Sequence, residues 1–168
     1  MEKTLQVLNR IRADGLLGQY AIGGAIAATF YVEPISTFDL DIFFTVAGAT
    51  DEFLSLAPLY DYLADLGYVA VGEAVEIEGW PVQFLPAFNP LLEEALLQAE
   101  DILFKSTPTR VMRAEHLVAV MLQTGRAKDF SRIIQFLEED VNLSSLSDVL
   151  ARHELTGRWE EFKLKFNL

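Results

Sequence analysis

Apolar residues recur at helical spacing near both ends of this chain and at strand spacing in its middle. Leu5, Leu8 and Ile11, with Val7 and Leu16 nearby, predict a short amphipathic helix that Gly15 can stop. Tyr20, Ala21 and Ile22 form a brief extended entry to Gly23-Gly24, and the alanine-rich residues 25–31 predict a short helix. Glu33-Pro34 ends it, because the residue before proline is pushed out of the α region. Near-continuous apolarity over residues 38–46 predicts a strand buried on both faces. Residues 50–66 are helical by pattern, with Gly67 as the stop and Pro58 marking a break or a fresh first turn. Residues 68–77 and 81–85 read as two strands joined at Glu78-Gly79-Trp80. A helix over 90–99 begins at Pro90 with Asn89 as its cap. Residues 102–104 fit a last short strand and 105–109 a connector. From Arg110 onward the pattern is helical: 114–123 ending at Gly125, 128–138, 146–153 with Ser144 and Ser145 as caps, and 158–166. This order predicts an α+β protein. A small mixed sheet flanked by helices occupies residues 1–105, and a helical segment, 106–168, packs on it without a flexible linker.

Composition narrows the picture. At 168 residues the chain suffices for one well-buried domain. Its 51% hydrophobic content and mean hydropathy of +0.23 fit a compact protein rather than a disordered one. The apolar runs are too short to span a bilayer, and Met1-Glu2-Lys3-Thr4-Leu5 lacks a secretory apolar region, so a cytoplasmic location away from membranes is expected. The absence of cysteine excludes disulfides, zinc–thiolate sites and cysteine nucleophiles. A net charge of −12 repels phosphate backbones and disfavours broad nucleic-acid binding. Yet Arg110, Arg113, Arg126, Lys128 and Arg132 fall within 23 positions. Such a run is either a local patch facing a nucleotide or nucleic-acid end, or simply solvated helix charge.

The candidate chemistry lies in Gly23-Gly24 and Thr37-Phe38-Asp39-Leu40-Asp41-Ile42. Side chains alternate across a strand, so Asp39 and Asp41 project together while Leu40 and Ile42 enter the core. Two carboxylates side by side repel unless a cation or proton sits between them. Hard oxygen pairs suit Mg²⁺, which is commonly held by one or two carboxylates plus substrate phosphates. The glycine pair lets backbone N–H groups approach a phosphate closely. The plainer readings are a solvated strand end and a tight turn. His116 and His153 stand apart in sequence and are expected on helix surfaces or in packing. Glu93-Glu94 suits the start of its helix, Trp80 is expected to pack on helices, and Trp159 and Phe162 read as core.

At these residues the chain resembles the nucleotidyltransferase superfamily that includes DNA polymerase beta. Its signature of an apolar residue, Gly, Gly or Ser, a spacer and Asp-apolar-Asp-apolar is matched by Ile22-Gly23-Gly24, fourteen residues, and Asp39-Leu40-Asp41-Ile42. Thr37-Phe38-Asp39-Leu40-Asp41 and Gly125-Arg126-Ala127-Lys128-Asp129 are similar to elements of the branch related to type IV abortive-infection toxins of toxin–antitoxin systems. The resemblance implies transfer of a nucleoside monophosphate from an NTP to an acceptor. It places Mg²⁺ or Mn²⁺ on Asp39 and Asp41, and the triphosphate against Gly23, Gly24, Ser36, Thr37, Lys128 and Arg126. It also admits a protein partner for a noncatalytic member of the fold. The chain departs from the family at three points. A third carboxylate is expected where Gln83 stands, with Glu76 or Glu78 as substitutes if register allows; Ile35 replaces an arginine; and Met121-Leu122-Gln123 lacks a lysine. Arg126 could instead pair with Glu138 or Glu139.

Overall fold

The computed structural model describes residues 1–34, 37–45, 55–139 and 141–168. In chain order the elements are α1 (Glu2–Ala13), β1 (Tyr20–Ile22), α2 (Gly24–Ala28), β2 (Leu40–Phe44), α3 (Ala57–Asp65), β3 (Val69–Val71), β4 (Ala74–Ile77) and β5 (Trp80–Pro86). There follow α4 (Pro90–Leu97), β6 (Glu100–Phe104), β7 (Thr107–Val111), α5 (Ala114–Thr124), α6 (Ala127–Glu138), α7 (Leu143–Arg152) and α8 (Thr156–Phe166). Among the described residues seven strands form one mixed sheet in the order β3-β4-β5-β2-β1-β7-β6. The parallel pairs are β2 with β5 and β1 with β7; the other neighbours are antiparallel. This is the expected α+β architecture, with helices against the sheet and a helical C-terminal part.

The two faces of β2 differ. Leu40, Ile42 and Phe44 are fully buried, and Phe44 meets Phe84 edge-on at 6.2 Å while Phe84 meets Tyr60 of α3 at 6.5 Å. Asp41 and Phe43, on the opposite face, are half-buried. The expectation of a strand enclosed on both sides is therefore corrected: one face is core and the other is the floor of an opening. Burying each Leu, Ile or Phe of the core face contributes roughly 1.5–3 kcal/mol, so the core side fixes the register that presents Asp41.

Three local expectations also change. Residues 105–109 are not a connector: a turn at Lys105-Ser106 leads into β7, which continues the sheet to Val111. Pro108 obscured that strand, but β7 meets β1 only at Val111, so Pro108 needs no N–H toward β1, and its carbonyl accepts a hydrogen bond from Asn9. Residues 68–77 are two strands, broken by a turn at Gly72-Glu73. Asn142, rather than Ser144 or Ser145, caps α7 by accepting the Ser145 N–H. Asn89 caps α4 as expected, accepting the Leu92 N–H. The helix predicted over 50–66 is observed from Ala57, with Pro58 in its first turn, and residues 50–54 lie outside the described ones.

His116 and His153 meet on a single carboxylate. Glu94 of α4 accepts hydrogen bonds from His116 Nε2 of α5 at 3.1 Å, from Arg152 Nη2 at the end of α7 at 2.6 Å, and from His153 Nε2 at 2.8 Å. These donors, Arg152 foremost, hold the Glu94 carboxyl down at about 2. Burial pushes His116 below its ordinary value, outweighing the neighbouring carboxylate. His116 Nδ1 is buried with no partner, so a second proton would strand an unpaired N–H in the core. Both folded values lie below the unfolded ones, so both groups stabilise the fold above the ordinary values and lose that contribution as pH falls. The unfolding midpoint temperature should therefore drop first below about 6.5, as His116 must stay neutral, and again between 4.5 and about 2 as Glu94 is protonated. Glu94→Gln should cost about 1–3 kcal/mol at neutral pH and flatten the lower limb of a thermal-melt pH series. An unchanged lower limb in that variant would contradict this account.

Candidate functional site

The half-buried face of β2 opens into a cleft of about 460 Å³. Asp39, one residue before β2, and Asp41 within it both line the cleft, as their i, i+2 spacing requires. Gly24, Thr37 and Gln83 belong to the same wall. Arg126, Lys128 and Arg132 line it from α6 and the residue before it. Ser36 and Ile35 lie outside the described residues. The structure thus brings Asp39, Asp41, Gly24, Thr37, Gln83, Arg126 and Lys128 together, and adds Arg132, Glu73 and Phe88.

The glycine pair is explained by close approach. Gly23 donates its N–H to the Asp41 carbonyl at 2.9 Å, and a Cβ there would run into the Phe43 ring. Its N–H is therefore committed to the sheet rather than to a ligand. Gly24 begins α2 with φ of +58°, and a Cβ there would overlap Asp41 Oδ2. Left-handed backbone costs other residues about 1–2 kcal/mol, and forced overpacking about 1–3 kcal/mol. Gly24→Ala should accordingly destabilise the fold by about 2–5 kcal/mol in a denaturant titration. A loss of only ~1–2 kcal/mol would mean that the Asp41 carboxylate swings away freely, and one below ~0.5 kcal/mol would contradict the positive φ as well.

Asp41 is electrostatically strained. Burial raises its carboxyl above the ordinary range, and the Asp39 charge raises it further; Arg126, Lys128 and Arg132 pull the other way. An ionised Asp41 therefore demands positive charge, which a hard divalent cation with oxygen ligands would supply. The residues present fit such an ion as a two-carboxylate set. Among the described residues no group of three or more His, Cys, Asp or Glu is placed to hold a metal. Gln83 pairs directly with Asp41 across the parallel β2–β5 ladder, so an amide stands at the position in register. The substitutes considered for it separate. Glu76 lies on the same sheet face and, with Asp39, Glu73 and Gln83, lines an adjoining cavity of about 320 Å³. Glu78 is elsewhere, accepting the Tyr68 hydroxyl at 2.9 Å beside α1. Glu73, on the β3–β4 turn, lines both cavities. Nothing in the pattern marks it, because its place depends on the β3–β4 turn, which the apolar pattern of residues 68–77 does not reveal.

The run of five basic residues divides in space. Arg110 pairs with Asp101 and donates to the Ala99 carbonyl, and Arg113 pairs with Glu100, so both brace β6. Arg126 stands at the N-cap position of α6, donates its backbone N–H to buried Asp129, and binds the same carboxylate with Nε at 2.8 Å and Nη2 at 3.1 Å, not Glu138 or Glu139. Lys128 and Arg132, one helical turn apart, pair with no carboxylate among the described residues and face the cleft. Trp80 is half-buried against the core, whereas Phe88 on the cleft rim is exposed. Trp159 stacks on buried Phe162 at 5.4 Å, as the helical spacing indicated.

No family model matches the chain, and no curated protein matches it by sequence. Solved structures do resemble it. An antigenic nucleotidyltransferase-like protein from Paracoccidioides brasiliensis superposes with a TM-score of 0.55 at 13% identity, over 94% of this chain and 92% of that one. ANT(2″)-Ia in complex with adenylyl-2″-tobramycin gives 0.54 at 15% identity, over 92% and 98%. The solution structure of the same antibiotic-resistance factor gives 0.52 at 15%, over 99% of both chains. At such identities the likeness is one of fold: this chain has the nucleotidyltransferase-like fold implied by Ile22-Gly23-Gly24 and Asp39-Leu40-Asp41. Among the described residues no helix is long and apolar enough to cross a membrane.

Proposed function

We propose that the cleft binds a nucleoside triphosphate with Mg²⁺ or Mn²⁺ and transfers the nucleoside monophosphate to an acceptor. The observation that carries this reading is the meeting of Asp39 and Asp41 with Gly24, Lys128 and Arg132 in one cleft of a nucleotidyltransferase-like fold. The adenylyl product held by ANT(2″)-Ia supports the choice of a nucleotide. In this assignment Asp39 and Asp41 hold the metal. Gly24 offers a backbone donor and Thr37 a hydroxyl, with Ser36, its neighbour in sequence, as a second candidate hydroxyl; Gly23 shapes the turn, its own N–H being held by the sheet. Lys128, Arg132 and, less fully because Asp129 shares its charge, Arg126 neutralise the triphosphate. When bound, the metal supplies charge against the α-phosphoryl group and the departing pyrophosphate.

Transfer joins an acceptor oxygen to the α-phosphorus and breaks its bond to the β-phosphate bridging oxygen, releasing pyrophosphate. The acceptor's proton needs a base. Gln83 can orient a hydroxyl but cannot take its proton, and this favours a second reading: a member that binds Mg²⁺–NTP with little turnover, alone or with a protein partner as in toxin–antitoxin pairs. Incubation with each labelled NTP and cell extract tests the first reading through label incorporation. Calorimetry separates the second: binding without transfer supports it, and absence of Mg²⁺-dependent NTP binding removes both.

A further inference from the structure

The cleft changes character along the strands. Asp41 and Gln83 sit side by side, and Phe43 and Leu85 follow side by side on the same face, about 7 Å further along. β5 then ends at Pro86, and Phe88 stands at the rim, 80% exposed. A phenylalanine so exposed forgoes the burial its ring would ordinarily gain. Gln123, another residue of the lining, is held in one orientation. Asn89 Oδ1 must accept the Leu92 N–H that caps α4, so Asn89 Nδ2 is the atom that donates to Gln123 Oε1, at 3.1 Å. Gln123 Nε2 is left to donate, on a residue that lines the cleft.

We infer that Phe88 and Gln123 form a nucleobase subsite, with the base stacked on the Phe88 ring and an acceptor atom of its edge toward Gln123 Nε2. This rests on the nucleotide reading of the charged end and goes beyond it by placing the heterocycle. The charged residues suit the phosphates, and Phe43, Leu85 and Met121 are among the apolar residues that line the same cleft. A flat, apolar ring with hydrogen-bond acceptors on its edge matches that lining.

The test compares inorganic tripolyphosphate with the four NTPs, each with Mg²⁺, by calorimetry on the full chain. The wild type should bind its preferred NTP more tightly than tripolyphosphate. Phe88→Ala should weaken that NTP about 10-fold or more, within the range for stacking one base on an aromatic ring, while tripolyphosphate affinity stays within twofold. Phe88→Trp should keep NTP affinity and Phe88→Leu should lose it, separating stacking from mere apolarity. Gln123→Met, which removes the donor without adding charge, should weaken NTP and not tripolyphosphate. Because Phe88 is exposed, an unchanged melting temperature will show that its variants fold. If tripolyphosphate binds and Phe88→Ala leaves the NTP advantage intact, the subsite is refuted and the phosphate site stands. If wild-type protein binds neither probe, the nucleotide reading and the subsite fall together.

Discussion

Asp41→Asn is expected to abolish Mg²⁺-dependent NTP binding and, in metal-free buffer, to raise the melting temperature. The two effects have one cause. Asp41 is held against Gly24 with Asp39 alongside, and both burial and that neighbour disfavour its ionised form. Removing the charge relieves the metal-free protein but deletes one of the two carboxylates proposed to hold the metal. Changes in the shell around a metal cost about 10–100-fold in affinity, so losing a direct ligand should cost at least the upper end of that range. The measurement is a melting series with and without Mg²⁺ and NTP. Wild type should be stabilised by the pair, and the variant should start higher and gain nothing. A variant that melts lower and keeps its ligand shift would show that Asp41 is an ordinary partnered carboxylate.

Gln83→Asp is expected to raise nucleotidyl transfer by about 100-fold or more, the lower end of what a positioned general base contributes. The direct pairing of Gln83 with Asp41 on neighbouring parallel strands places the new carboxylate on the same face and in the same cleft. The added charge should also make the metal-free protein less stable, because three carboxylates then share one wall. Single-turnover assays with labelled NTP, run beside a binding measurement, separate the outcomes. Retained Mg²⁺–NTP binding with no gain in rate would mean that the acceptor proton leaves by another route, with Glu73 a candidate in the lining. A wild-type rate already equal to that of the variant would set aside the reading of a binding protein with little turnover.

The sequence was legible where chemistry and backbone period coincide. Asp39 and Asp41 are two apart, so a strand must place them together, and Gly24 is required by a positive φ beside one of those carboxylates. Gln83 could be located because β5 is a clear apolar strand and its pairing with β2 is parallel and in register. What escaped depends on tertiary placement. β7 contains Pro108 and Arg110, which weaken its strand signal, and its pairing with β1 at Val111, rather than its own pattern, joins the β6–β7 hairpin to the sheet. Glu73 and Phe88 occupy a turn and a strand exit, where no periodicity operates. Glu94, His116 and His153 are separated by 22 and 59 positions, and only the packing of α4, α5 and α7 shows that they share a hydrogen-bond cluster.

The cleft brings Arg126, Lys128 and Arg132 in beside Asp39, Asp41, Glu73 and Asp129, on a chain whose net charge is −12. At low ionic strength an approaching anion meets the repulsion of the whole surface before it meets Lys128 or Arg132. Screening at physiological salt, with a Debye length of about 8 Å, removes that distant barrier while leaving the contacts inside the cleft largely intact. Salt is therefore expected to speed the encounter of an anionic ligand with this cleft. The acidic surface governs how often a ligand arrives; the cations within govern how long it stays.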